Sequence, residues 1–263
     1  VKAIAPAYGG INLEDISAPR CFEIEERLRA ELDIPVFHDD QHGTAIVVLS
    51  ALINALKIVN KKIEDVRIVV SGVGAAGNAI IRLLLAQGAR DIIGCGRDGA
   101  LSGDATEGMH PSRKALAEAT NPRHVHGSLK EVLKGADVFI GVSSGNILDP
   151  SDVETMADDA IVFALANPTP EVDPIGAGKY AAVVATGRSD YPNQINNVLA
   201  FPGLFRGLLD AKVKEITTEV LRVASVAIAS VISEDELSPS YIIPGAFDKR
   251  VAPAVSKAVR RAV

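Results

Sequence analysis

Two acidic pairs stand where chemistry could happen. "GGINLEDI" carries Glu14 and Asp15, and "VFHDDQHGTA" carries Asp39 and Asp40 between His38 and His42. Carboxylates delivered from two separate segments suit a hard divalent cation such as Mg or Mn, which takes oxygen ligands and leaves room for water or substrate oxygens. Acidic pairs also occur as solvated turns and helix N-caps, so the residues alone leave both readings open. The histidines are four apart, as in zinc helices, but aspartate rather than glutamate follows His38, Gln41 is not acidic, and Gly43 follows His42. Zinc is therefore not expected, and the histidines are expected to pack or hydrogen-bond around the aspartates.

"RIVVSGVGAAGNAIIRLLLAQGA" places Gly72, Gly74 and Gly77 in G-x-G-x-x-G register between a predicted strand and a predicted helix. The first glycine makes a tight turn, the second admits a pyrophosphate close to the backbone, and the third lets helix pack on strand. Ala75 and Ala76 open the helix, where free N–H groups face the phosphates. A glycine-rich turn without a ligand would look similar in isolation, but the flanking strand and helix and the further βα units favour a dinucleotide. A carboxylate for the ribose 2′-hydroxyl of NAD is expected about 20 residues on. The strand there reads "DIIGCGRDGAL", with Gly96 in that place, then Arg97 and Asp98. A small residue followed by an arginine suits a 2′-phosphate and favours NADP over NAD; the alternative is that Asp98 reaches the ribose and Arg97 is solvated.

These residues need a scaffold. "VRIVVSG", "RDIIGCG", "ADVFIGVS", "AIVFALANP" and "AAVVATG" are short β-branched runs ending in small or turn-forming residues, separated by helical segments such as "SLKEVLKGA". Near-continuous apolar strands alternating with helices imply an α/β fold, a doubly wound, mostly parallel Rossmann-like sheet with helices on both faces. Ahead of it, "APRCFEIEERLRAEL" reads as an amphipathic helix, "IPVF" as a short extended run, and "GTAIVVLSALINALKIV" as a helix buried almost all round. From about Phe201 the chain turns mostly helical, with "SEDELSPSYIIPGA" as an extended strap before a final helical stretch "AFDKRVAPAVSKAVRRAV". The expected division is residues 1–42 as an entry segment carrying acidic residues, 43–200 as the dinucleotide-binding domain, and 201–263 as a helical extension.

Composition excludes several classes. The 263 residues are 48% hydrophobic and carry a net charge of −6 with dispersed Lys and Arg, which argues against a nucleic-acid partner. The run "VASVAIASVI" is about half of the ~20 residues that span a bilayer, so no membrane is expected. Cys21 and Cys95 are far apart and form no C-x-x-C, which fits a reducing, cytoplasmic setting. Cys95 reads as core filler.

Taken together, "GGINLEDI", "VFHDDQHGTAIVVLSALINAL", "GVGAAGNAI", "ALANPTPE" and "YPNQINNVLAFPG" resemble the malic enzyme family, bacterial type, in order and spacing over essentially the whole chain. The resemblance implies oxidative decarboxylation of (S)-malate to pyruvate and CO2 with reduction of NAD or NADP and Mg or Mn bound. It implies Glu14, Asp15 and Asp40 as metal ligands and Asp39 as the catalytic-site aspartate that meets the family's lysine. Asn167 would contact substrate and nicotinamide ribose, and Asn196 and Asn197 would lie near nicotinamide and substrate carboxylate, with Asn197 favoured for substrate. Outside that context each asparagine reads as an Asx turn. Ser143 and Ser144 would touch the cofactor's ribose, and Thr44 would lie near its phosphates or cap the long helix.

The family's base lysine and acid tyrosine lie before "GGINLED", and Lys2 and Tyr8 do not match those motifs. The expectation is a chain that binds cofactor as part of a longer enzyme, a homodimer or higher oligomer, and turns over little alone. Two other functions share the glycine loop: the cofactor domain of an amino-acid dehydrogenase, and a non-catalytic dinucleotide-binding module.

Overall fold

A computed structural model describes residues 1–263. Arg67–Ser71 opens a six-stranded sheet whose strands alternate with helices. In chain order the elements are β1 Ile11–Leu13, α1 Arg20–Glu31, β2 Val36–His38, α2 Thr44–Ile58, β3 Arg67–Ser71, α3 Ala75–Ala86, β4 Asp91–Gly96, β5 Gly99–Ala100 and α4 Pro111–Ala119. Then follow α5 Leu129–Leu133, β6 Val138–Gly141, α6 Pro150–Val153, β7 Ile161–Ala164, α7 Pro174–Ala177, β8 Val183–Thr186, α8 Phe201–Ala211, α9 Thr218–Ala229 and α10 Val251–Ala262. The sheet order is β5-β4-β3-β6-β7-β8, parallel except for β5 against β4.

β3 is the switch point of this sheet. The chain steps from β3 to β4 on one side and then crosses back to place β6 on the other. Loops therefore diverge at the carboxyl end of β3 and leave a crevice there, the usual ligand site of open α/β sheets.

Alternation along the strands explains the two-sided burial. Ile68 and Val70 of β3, Val138 and Ile140 of β6, and Ile161 and Phe163 of β7 face one apolar layer with α2, α3, α8, α9 and α10. Val69, Phe139 and Val162 face the other, with residues of α5, α6 and α7. The central residues of these strands are thus apolar whichever way they point, as a parallel sheet covered on both faces requires.

The helices after residue 200 share the same apolar layer as α2 and α3, so they complete this core rather than forming a separate one. The stretch Asp39–Ile58 is long and apolar enough, by length and composition, to cross a membrane, yet 72% of its most apolar 18 residues is buried inside the fold. It is the central core helix.

The sequence did not mark one strand pair: Ile11–Leu13, just before Glu14 and Asp15, pairs in parallel with Val36–His38, over a small core of Ala5, Leu13, Leu32 and Val36. Two details depart from the sequence reading. The segment from Ser233 to Ala246 is a series of turns with one bridge, Ser238 to Tyr241, because its serines and prolines break any longer ladder. The last helix starts at Val251, leaving Phe247 exposed on the turn before it.

Candidate functional site

The β1–β2 pairing brings the two acidic pairs to one place. Glu14 and Asp15 follow β1, Asp39 and Asp40 follow β2, and the strands lie side by side in register, Leu13 opposite His38. Asp15 adopts a left-handed backbone conformation, φ 58°, which aspartate tolerates, and donates its N–H to Asp40 Oδ2 at 2.8 Å.

Asp39–Gly43 then forms one turn of π-helix that runs directly into α2. Such wide turns recur where side chains must be re-aimed at a site. Gly43 leaves room for the Asp39 carboxylate, since a Cβ on it would overlap Asp39 Oδ1 and displace that side chain.

The buried Asp39 accepts a hydrogen bond from Asn197 Nδ2 at 2.9 Å, while its Oδ1 has no partner. Burial first, then the charges of Glu14 and Asp40, push its carboxyl up to about 6. Behind it, Glu25 of α1 accepts from Gln41 Nε2 at 3.0 Å and meets His42 Nε2 at 2.7 Å. Burial works against the Glu25 carboxylate, but the His42 hydrogen bond and charge, with Arg29, hold it below its usual range. His38 is fully buried, which lowers its basicity. His42 thus bonds Glu25 rather than an aspartate, and His38 packs beside Asp40, its Nδ1 4.0 Å from Asp40 Oδ2, with both ring nitrogens unpartnered.

The donor types here suit Mg or Mn, and the charges of Glu14 and Asp40, which add to the effect of burial on Asp39, are what a cation would relieve. The arrangement is less complete. No three His, Cys, Asp or Glu side chains converge with the geometry to hold a metal. Asp40 is instead occupied by the Asp15 N–H.

The glycine loop lies at the switch point. Gly72 has φ 99°, the left-handed region in which glycine alone is unstrained, and a Cβ on Gly77 would overlap the Gly72 carbonyl oxygen. The loop therefore needs its first and third glycines for backbone reasons. Gly74 precedes α3, whose N-terminus has no side-chain cap, so the N–H groups of Ala75 and Ala76 are left for an anion.

From this loop a groove of about 780 Å³ runs past Gly72, Gly74, Gly96, Arg97, Ser143 and Ser144. In the other direction a cavity of about 340 Å³ is lined by Asp40, Thr44, Ala76, Ser143, Asn167 and Asn197, among others. Ser143 belongs to both, and its hydroxyl lies 2.9 Å from that of Ser71 at the end of β3. Groove and cavity thus meet at one residue, with the glycine loop along the larger groove and Asp40, Asn167 and Asn197 in the smaller cavity.

The structure sorts the sequence candidates. Thr44 starts α2 without capping it and faces the cavity. Asn197 and Asn167 line the cavity, whereas Asn196 accepts the Val198 N–H at 3.0 Å and is used as the cap of a short 3-10 turn. Glu14 and Asp15 stand beside the cavity's Asp40 rather than among its lining residues.

Cys95 is buried, which pushes its thiol up to about 12, in keeping with a core role.

Two residues escaped the sequence reading. Arg113 of α4 reaches over Gly96, where a Cβ would overlap its Nη2, and meets Asp98 at 3.4 Å. Nothing near it in sequence marked the α4 start except His110-Pro111, a cap followed by proline at the first helical position. The other is Glu171, buried at the end of the quoted "ALANPTPE".

A family model described as malic enzyme, NAD binding domain, matches residues 41–263. The chain is 61% identical over 259 residues to an NAD-dependent malic enzyme of Geobacillus stearothermophilus, covering 98% of this chain and 54% of that protein. It is 55% identical to a bifunctional malic/malolactic enzyme of Bacillus subtilis, covering all of this chain and 64% of that one. It is 44% identical to an NADP-dependent malic enzyme of Escherichia coli, of which it covers 36%. Among solved structures, the NAD-dependent malic enzyme of Thermotoga maritima superposes with a TM-score of 0.93 at 48% identity, covering 98% of this chain and 68% of that one. The chain spans between about a third and two thirds of the length of these curated relatives.

Proposed function

Because the chain belongs to the malic enzyme family, we propose that it supplies the cofactor-binding half of a site that oxidatively decarboxylates malate within a longer polypeptide. The observation that carries this reading is the continuity of the dinucleotide groove with the cavity holding Asp40, Asn167 and Asn197. A nicotinamide laid past Ser143 ends in a chamber whose polar groups suit a small dicarboxylate.

In the proposed reaction, malate loses hydride from C2 to the nicotinamide and the hydroxyl proton to a base. The resulting keto acid then releases CO2, and the enolate left behind takes up a proton at C3 to give pyruvate. This chain's part is to bind and orient. The Asn167 and Asn197 amides donate to carboxylate or hydroxyl oxygens of the substrate. Val47, Val142, Leu165 and Ile195 line the same cavity and keep water from the hydride path. Asn197 also donates to Asp39, so a shift in Asp39 is transmitted to the Asn197 amide that faces the substrate.

Asp39 is the residue we assign to meet a base from outside residues 1–263. We assign Glu14, Asp15 and Asp40 to a Mg or Mn ion, which requires Asp40 to exchange the Asp15 N–H for the metal. Bound there, the cation would polarise the substrate's C2 oxygen.

NADP is favoured over NAD, because Arg97 and Arg113 flank Gly96, where a ribose-binding carboxylate would otherwise stand. The relatives include both NAD- and NADP-dependent enzymes.

The test is Mn-dependent conversion of malate to pyruvate by the full-length protein that contains this chain. Wild type is expected to turn over, and Asp40→Ala is expected to lose at least about a hundredfold in kcat/KM, in line with the loss of a group that stabilises transition-state charge. Full activity in Asp40→Ala would refute the assignment.

A further inference from the structure

Glu171 is a carboxylate with no exposed surface, and nothing in the reaction described above uses it. It sits between the carboxyl ends of β6 and β7. Its Oε1 accepts the Ser143 N–H at 2.9 Å and its Oε2 accepts the Ala166 N–H at 3.0 Å. Ser143 is the residue shared by groove and cavity, and Ala166 is the neighbour of Asn167. The backbone around Glu171 binds the same loop again, since Asn146 N–H donates to Pro170 O at 2.9 Å and Leu148 N–H donates to Glu171 O at 3.0 Å. Gly141 leaves the space: a Cβ there would overlap the Glu171 carboxyl carbon.

A carboxylate is the side chain this position needs. Two N–H donors from separate loops converge on it, and only a group with two acceptor oxygens satisfies both. An amide of the same shape would accept one N–H and turn its own NH2 against the other, leaving two donors opposed in a buried place. The side chain therefore sets the separation of two loops, one carrying Ser143 and the other leading into Asn167. Neither of its side-chain hydrogen bonds goes to the glycine loop or Gly96.

We propose that Glu171 is a positioning residue for the nicotinamide end of the crevice, clamping the Ser143 and Asn167 loops at the spacing that cofactor binding uses. This inference rests on the proposal that the crevice binds a dinucleotide.

Binding of NADPH, NADH and ADP to this 263-residue chain, measured by fluorescence and calorimetric titration, tests it. ADP carries adenosine and pyrophosphate but no nicotinamide. In Glu171→Gln, both reduced dinucleotides are expected to bind at least about tenfold more weakly, with ADP within about twofold of wild type. Gly141→Ala, which displaces the carboxylate without removing it, is expected to show the same selective loss and decides the question if Glu171→Gln does not fold. Equal weakening of dinucleotide and ADP, or no weakening of either, would overturn the positioning role while leaving dinucleotide binding intact. Failure of the wild-type chain to bind any of the three would overturn the dinucleotide reading itself, and the inference with it.

Discussion

Replacing Arg113 by methionine tests how the adenosine end is read. The guanidinium lies over Gly96, its side chain is 31% exposed, and its Nε has no partner. Its present partner, Asp98, is 84% exposed at 3.4 Å. An exposed pair of that kind is worth about 0–1 kcal/mol, so Arg113 can exchange it for a phosphate at little cost.

A hydrogen bond to a charged group nets about 1.5–3 kcal/mol, and partial exposure argues for the lower end, so roughly tenfold in affinity is at stake. Arg113→Met keeps the apolar stem and removes the charge. In titrations of the chain, NADP binding is expected to weaken about tenfold while NAD stays within about twofold, and the NADP difference is expected to shrink in high salt as the charge is screened. Equal loss for both nucleotides would show that Arg113 shapes the groove rather than reading the 2′-phosphate. No loss for either would remove it from the site.

The glycine loop makes a steric prediction. Gly77→Ala puts a Cβ into the Gly72 carbonyl, which is backbone and cannot move aside, so α3 must lift from β3. Overpacking of this kind costs about 1–3 kcal/mol, and both NAD and NADP are expected to lose at least about tenfold in affinity by calorimetry; unchanged binding would contradict the close packing.

Cys95 gives a pH dependence. Its thiol is pushed up to about 12 by burial, so the folded chain keeps a proton that the unfolded chain has already released. Stability contributed by that proton is complete below the ordinary thiol range and is lost as pH rises toward 12. Between about pH 8 and about pH 10 the urea midpoint of wild type is expected to fall more steeply than that of Cys95→Ala, with a limiting difference on the order of 1.4 kcal/mol per pH unit above the ordinary thiol pKa. Parallel slopes would show that Cys95 does not hold its proton.

Much of this was legible in the chain because the signals were local. The β-branched runs ending in small residues became β3, β4, β6, β7 and β8, and the G-x-G-x-x-G register fell at the switch point. Local pattern could not show which acidic pairs meet. Asp15 and Asp40 meet only because Ile11–Leu13 pairs with Val36–His38, two three-residue strands too short for a period-2 signal. Asn196 and Asn197 are adjacent in sequence yet do different work, one capping a turn and the other facing the cavity. That difference depends on side-chain direction at the start of a 3-10 turn. Arg113 reaches Gly96 across 17 residues and a helix whose start is marked only by His110-Pro111. Glu171 lay inside a recognised motif, but its role appears only when the Ser143 and Ala166 N–H groups are seen to point at one carboxylate.

The central claim is that a single crevice at the carboxyl end of β3 takes a dinucleotide, with its nicotinamide directed at Asp40, Asn167 and Asn197. The most direct measurement is the structure of this chain crystallised with NADP. The expected result is pyrophosphate on the N–H groups of the Gly72–Gly77 loop, the 2′-phosphate beside Arg97 and Arg113, and the nicotinamide past Ser143 in the cavity with Asn167. A nucleotide bound elsewhere, or one whose nicotinamide points away from that cavity, would contradict the account.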